Sequence, residues 1–89
     1  MKAILSVIGQ DKVGIIAEIS KVLVENKINI LDVSQTIMEE EFVMMMSLAL
    51  PEEIDFQLLI NTFKNLGKEL DVEINLRNSK IYKAMHDLA

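Results

Sequence analysis

The spacing of apolar positions divides the chain into six elements and a tail. Lys2 to Ile8 (KAILSVI) is an apolar run that reads as a strand, closed by Gly9. From Val13 to about Glu25 the period turns helical. Glu18, Lys21 and Glu25 form one polar stripe, and Val13, Ile15, Ile16, Ile19, Val22, Leu23 and Val24 fill the rest of the surface. So wide an apolar arc predicts a helix packed on more than one side, with Asp11 as its N-cap and Asn26-Lys27 as its end. Asn29 to Glu39 reads as a second strand, with Asp32, Ser34 and Thr36 on one face and Leu31, Val33 and Ile37 on the other, interrupted by Gln35. Glu39-Glu40-Glu41, a charge run between two apolar strands, reads as a solvated hairpin turn rather than a metal site. Phe42 to Leu50 (FVMMMSLAL) is the third strand, apolar on both faces except for Ser47.

After the loop Pro51-Glu52-Glu53, Asp55 is placed to cap a second helix, with Ile54 stapled onto Leu59. Phe56, Leu59, Ile60, Phe63, Leu66 and Leu70 keep helical spacing, and Val72 to Arg77 (VEINLR) alternates as a fourth strand. Ser79 can cap a short final helix with Ile81, Tyr82, Met85 and Leu88 on one side. The order is β-α-β-β-α-β with a helical tail, an α+β ferredoxin-like sandwich. Strands one and three are nearly continuous apolar runs, and strands two and four alternate. A strand covered on both faces is apolar on both, so the pattern predicts an antiparallel sheet in the order 4-1-3-2. Two helices cover only one face of such a sheet. The other face of strand one carries either Ile4 and Ile8 or Ala3, Leu5 and Val7. Its cover is the C-terminal helix, a second subunit, or both.

Composition narrows the function. The chain has 89 residues, enough for one small domain, and 51% of them are hydrophobic. A domain of this size buries only roughly 60–65% of its unfolded surface, so the apolar excess suits an oligomer, with a homodimer as the expectation. The net charge of -5 argues against nucleic acid or an anionic membrane as partner. The absence of cysteine removes thiol catalysis and Cys-based metal transfer, and fits a cytoplasmic protein. The first apolar run is too short for a signal peptide or a membrane span. Several proteins of this topology also fall away. A metallochaperone needs a Cys pair, an RNA-recognition domain needs aromatics in basic surroundings, and an acylphosphatase needs an Arg after strand one. The single Arg is Arg77, on strand four. No activated nucleophile, acid–base pair or cofactor loop is apparent, so the chain reads as a non-enzyme without a cofactor.

Two of the three glycines bracket GQDKVG, residues 9–14. The pattern is not a phosphate loop, because Ile15 and Ile16 follow Gly14 where Lys and Ser/Thr are needed. A glycine at a helix start permits close packing or close approach of a ligand, and free N–H groups there favour a carboxylate. Asn29 opens strand two, which can bring it near this end of the sheet, and offers both a donor and an acceptor. Together these suit the carboxylate and ammonium of an amino acid. The plainer alternative is that Asp11 only caps, Gly14 only packs and Asn29 only ends a turn. His86 fits a partly exposed residue near a helix C-terminus, with a pH switch or a metal ligand as the alternative. Met44 to Met46 point to alternating faces and cannot converge on one ion, so they read as core filler.

Gly9-Gln10-Asp11-Lys12-Val13-Gly14-Ile15-Ile16, followed by Asn26-Lys27-Ile28-Asn29-Ile30-Leu31-Asp32, resembles the signature of ACT domains: a D-x-x-G-(I/V/L) loop, a helix, then an N-I pair opening strand two. The resemblance covers roughly residues 1–77, and the tail of residues 78–89 is similar to that of small stand-alone single-ACT proteins. It implies regulatory, allosteric binding of an amino acid at an interface between paired domains, and action on a partner protein. The implied ligand-binding set is Asp11, Lys12, Val13, Gly14 and Ile15 from the loop, with Asn29 and Ile30 from the neighbouring domain. The alternative is a ligand-free dimerisation or assembly module. Two positions depart from the family pattern. Val13 stands where many ligand-binding members have Pro, and Asp71 stands where close relatives tend to have Gly, a place where Asp tolerates the left-handed region.

Overall fold

The second helix starts where its capping residue sits. The Asp55 carboxylate accepts a hydrogen bond from the Leu58 N–H at 3.1 Å, satisfying one of the free donors of the first turn. In the computed structural model, which describes residues 1–10 and 13–80, the elements are β1 (Lys2–Gln10), α1 (Ile15–Glu25), β2 (Asn29–Met38), β3 (Glu41–Ala49), α2 (Phe56–Leu70) and β4 (Glu73–Asn78). The sheet is antiparallel throughout and ordered β2-β3-β1-β4, the expected arrangement with β1 and β3 inside. The final-helix residues Ile81, Tyr82, Met85, His86 and Leu88 lie outside the described residues. At the start of the tail it is Asn78, not Ser79, whose side chain caps: its Oδ1 accepts from the Lys80 N–H at 2.8 Å.

Both helices end in the same device. Val72 N–H donates to the Gly67 carbonyl, and Ile28 N–H to that of Leu23, each across one extra residue in the left-handed region. Those residues are Asp71 (φ 57°) and Lys27 (φ 57°). Asp71 thus performs in this turn the task that a glycine would. Val72 is held tightly by the same turn. A Cβ on Gly9 would lie 2.6 Å from Val72 Cγ1, and one on Gly67 would lie 2.7 Å from the Val72 carbonyl oxygen. Gly9 and Gly67 are therefore required by packing.

The core lies between the sheet and the helices, and among the described residues it holds no buried polar or charged side chain. Ala3, Leu5 and Val7 of β1, and Phe42, Met44, Met46 and Leu48 of β3, face the helices and are buried. Ile15, Ile19 and Leu23 of α1 meet Leu59, Phe63 and Leu66 of α2 above them. The molecule is 19 Å thick, the depth of one sheet and one helical layer. Ile4 and Ile8 therefore lie on the other face, which no helix of the described residues covers, and this settles the two alternatives for β1.

Two expectations for α1 need correction. The helix begins at Ile15, and Gly14, not Asp11, occupies its N-cap, without any side-chain capping bond. The helix also packs along one stripe only. Ile16 is 45% exposed and Val24 76%, so among the described residues of one chain the remaining apolar arc has no cover. The turn between β2 and β3 holds Glu39 and Glu40, both at positive φ (48° and 74°), as a two-residue hairpin requires.

Candidate functional site

Gly14 has φ 95°, a conformation in which a side chain is strained, and a Cβ built there would meet nothing within 4 Å. The glycine is needed for the turn into α1 and not for packing, so the space beside it is open. Val13 is fully exposed, and Ile15 turns inward and is buried in the core. Of the loop residues singled out by sequence, Val13 and Gly14 are therefore at the surface, and Ile15 can offer a ligand only its backbone. Asp11 and Lys12 lie outside the described residues.

Strand β2 is the second component. It is an edge strand of ten residues, every one of them exposed. Ile30 (40%), Leu31 (47%), Val33 (45%), Ile37 (68%) and Met38 (61%) leave large apolar side chains in solvent. The strand contains no Lys and no Pro, the usual guards of a free edge. Its pairing with β3 shifts register between Ile30 and Asp32, which leaves Leu31 as the extra residue of a bulge. After the bulge Asp32, Ser34 and Thr36 stand opposite Ser47, Met45 and Val43 on the face away from the helices, as the alternation predicted.

Within one chain the two components do not meet. Asn29 pairs with Ala49, which pairs with Lys2, so Asn29 sits at the end of the sheet where β1 starts. The end of β1 is marked by Gln10, which pairs with Glu41, itself opposite Met38. Asn29 and the glycine turn are therefore at opposite ends of a ten-residue strand, about 30 Å apart. The expectation that Asn29 approaches the loop within the same chain is not met, because antiparallel pairing with β3 fixes the direction of β2.

What lies beside the turn is a groove the sequence reading did not anticipate. It is lined by Ile16 of α1, by Gln35, Thr36 and Ile37 of β2, and by Phe42 of β3, and has a volume of ≈ 420 Å³. The signal for it was present in the apolar arc of α1, which is wider than one packed stripe needs. The groove joins apolar walls to the amide of Gln35 and the backbone of Thr36, so it can accept a small amphipathic group.

An open left-handed glycine at the start of α1, a groove beside it and an exposed edge strand coincide with a family pattern. A model of the ACT domain matches residues 2–77. The chain belongs to the ACT domain family. It is 42% identical over 88 residues to a UPF0237 protein of Streptococcus pneumoniae, covering 99% of this chain and 100% of that one. A solved ACT domain protein from Streptococcus pneumoniae superposes with a TM-score of 0.82 at 43% identity, covering 92% of this chain and 93% of that one. A formyltetrahydrofolate deformylase from Pseudomonas putida shares the fold, with a TM-score of 0.77 at 11% identity, over 88% of this chain and 29% of its own. The ACT domain is a regulatory, small-molecule-binding fold, and the family points to a regulatory rather than a catalytic chain. No helix among the described residues is long and apolar enough to cross a membrane.

Proposed function

We propose that this ACT domain works as a homodimer that binds an amino acid between subunits and thereby changes its contacts with a partner protein. The observation that carries the reading is the exposed edge of β2. A second copy paired antiparallel along that edge places its Asn29 beside Met38 of the first. Met38 is two strand spacings, about 10 Å, from the end of β1 and the loop into α1. The separation that keeps Asn29 from the loop within one chain is what a two-fold axis removes between chains.

In this arrangement the loop of one subunit, Asp11 to Ile15, and the strand start of the other, Asn29 and Ile30, form one site. Asp11 supplies an acceptor for the ammonium group, and the N–H groups at the start of α1 supply donors for the carboxylate. The Asn29 amide can serve either. The groove against Ile16 and Ile37 takes the ligand's side chain. The ligand acts by population shift: it stabilises the dimer arrangement in which loop and strand are close, by no more than its differential affinity for that state. The same exposed edge also supports a second reading, an assembly module that dimerises without a ligand.

Titration calorimetry of the folded dimer against the standard amino acids separates the two. Saturable heat for one or a few of them, lost in Asn29→Ala, supports the sensor. No heat from any of them, with the dimer intact, leaves the assembly module.

A further inference from the structure

The groove between α1 and β2 has a chemistry set by what is missing from it. On β2 the residues on the helix side are those opposite buried partners: Val33 opposite Met46, Gln35 opposite Met44 and Ile37 opposite Phe42. On α1 the neighbour of Ile16 one turn on is Ser20. Glu18, Lys21 and Glu25 lie about 140–200° around the helix from Ile16. Among the described residues no charged side chain therefore lines the groove. Its walls are Ile16, Ile37 and Phe42, with the Gln35 amide behind them. That amide is one row farther from the loop, about 7 Å along the strand. The nearest charges along β2 are Glu39 and Glu40 in the turn. Ile30 stands opposite the buried Leu48, so it belongs to the helix side as well, and it is 40% exposed. In the edge-paired dimer the partner's Ile30 comes in beside Ile37 and adds a further apolar wall. The groove is also remote from where the described residues end. Asn78 pairs with Ala3 at the other end of the opposite edge, about 24 Å away.

We infer that the site selects an amino acid whose side chain is uncharged and apolar, of leucine size or larger. This rests on the amino-acid reading of the site proposed above and adds the class of side chain to it. At ≈ 420 Å³ the groove does not limit the ligand by size, so polarity decides. A charged side chain would leave water for walls that offer no counter-charge, which is unfavourable. Glycine, alanine and serine would leave Ile16, Ile37 and Phe42 in contact with water. Each further CH₂ buried there tightens binding about fourfold. Three carbons separate leucine from alanine, a difference of roughly sixtyfold on full burial. In a groove open on one side the difference is smaller, at least about tenfold. Ile16, Ile37 and Phe42 are the residues that set this selectivity. The loop and Asn29 recognise only the groups common to all amino acids.

The test is titration calorimetry of the 89-residue chain against leucine, isoleucine, methionine and phenylalanine, and against alanine, serine, aspartate and lysine. Weak ligands are read by their displacement of strong ones. The apolar group binds, leucine at least about tenfold tighter than alanine, with serine, aspartate and lysine weaker still. Ile16→Ala shortens one wall at a half-exposed helix position, and circular dichroism confirms that the variant is folded. It weakens leucine at least about threefold and leaves alanine within about twofold. Alanine or serine binding as tightly as leucine, or aspartate binding best, keeps the amino-acid site and overturns the inference. A preference for lysine overturns it too, and points to Glu39 and Glu40 as the selecting groups. Equal weakening of leucine and alanine by Ile16→Ala places the side chain outside the groove and overturns it. No heat from any amino acid, with the chain folded, removes the amino-acid reading itself, and the inference falls with it.

Discussion

Replacing Gly14 by alanine isolates one physical quantity. A Cβ there touches nothing within 4 Å, so no steric or cavity contribution enters. What remains is the backbone conformation, φ 95° and ψ -7°, held at the N-cap of α1. A residue with a Cβ loses about 1–2 kcal/mol in the left-handed region, and alanine is a poorer N-cap than glycine by a few tenths more. For a domain of this size that lowers Tm by roughly 5–15 °C. Asparagine tolerates positive φ and has a capping oxygen, so Gly14→Asn should recover at least half of the loss. Valine, with its branched Cβ, should be worse than alanine. The assay is urea denaturation of the four proteins, and the order of midpoints should be Gly, Asn, Ala, Val with equal slopes. Equal stability of the wild type and the Gly14→Ala variant would mean that the turn does not need positive φ. A loss much beyond about 3 kcal/mol would mean that the site is packed. The first result would refute the role of the left-handed glycine, and the second the open space on which the ligand reading rests.

Other expectations follow from the same geometry. Gly67→Ala should destabilise by about 1–3 kcal/mol through the contact with the Val72 carbonyl, partly offset by about 1 kcal/mol of helix propensity, and should raise the unfolding rate in stopped-flow experiments. Asp55→Ala removes the bond to the Leu58 N–H and should cost about 1 kcal/mol in thermal denaturation. Replacing Glu39-Glu40 by Asn-Gly fits the two positive φ angles of the hairpin and should raise the denaturation midpoint by about 1 kcal/mol. Phe63→Ala opens the centre of the core and should cost about 3–5 kcal/mol, read as a lower urea midpoint.

The fold was legible because its signals were local or strictly periodic. The continuous runs of β1 and β3 against the alternation of β2 and β4 predicted the strand order. Asp55 before Phe56 marked the start of α2, and Asp71 marked its end. The start of α1 was misread for a physical reason. Asp11 has capping chemistry, but a glycine in the left-handed region can take the N-cap without any side-chain bond, and sequence spacing does not show φ. The bulge at Leu31 was equally invisible, since the alternation resumes correctly at Asp32. The width of the apolar arc on α1 was read correctly as an excess and assigned to the wrong place. Ile16 and Val24 face outward, and the excess surfaces again on β2 as Ile30, Leu31 and Ile37. The candidate site was legible only as chemistry: the loop and Asn29 stood out by residue type, whereas their separation follows from the pairing of β2 with β3, a long-range contact without a local signature.

The central claim, a ligand site shared between subunits, is tested most directly by mixing two defective proteins. Asp11→Ala removes the loop's carboxylate and Asn29→Ala removes the strand's amide, and each alone should bind no amino acid in calorimetry. When the two are unfolded together and refolded in equal amounts, half of the dimers are mixed, and each mixed dimer has one site in which both groups are wild type. The account predicts that about a quarter of all sites recover full affinity. Recovery of none, with mixed dimers demonstrated by mass spectrometry, would place both residues in the same subunit's site or in no site at all, and would contradict it.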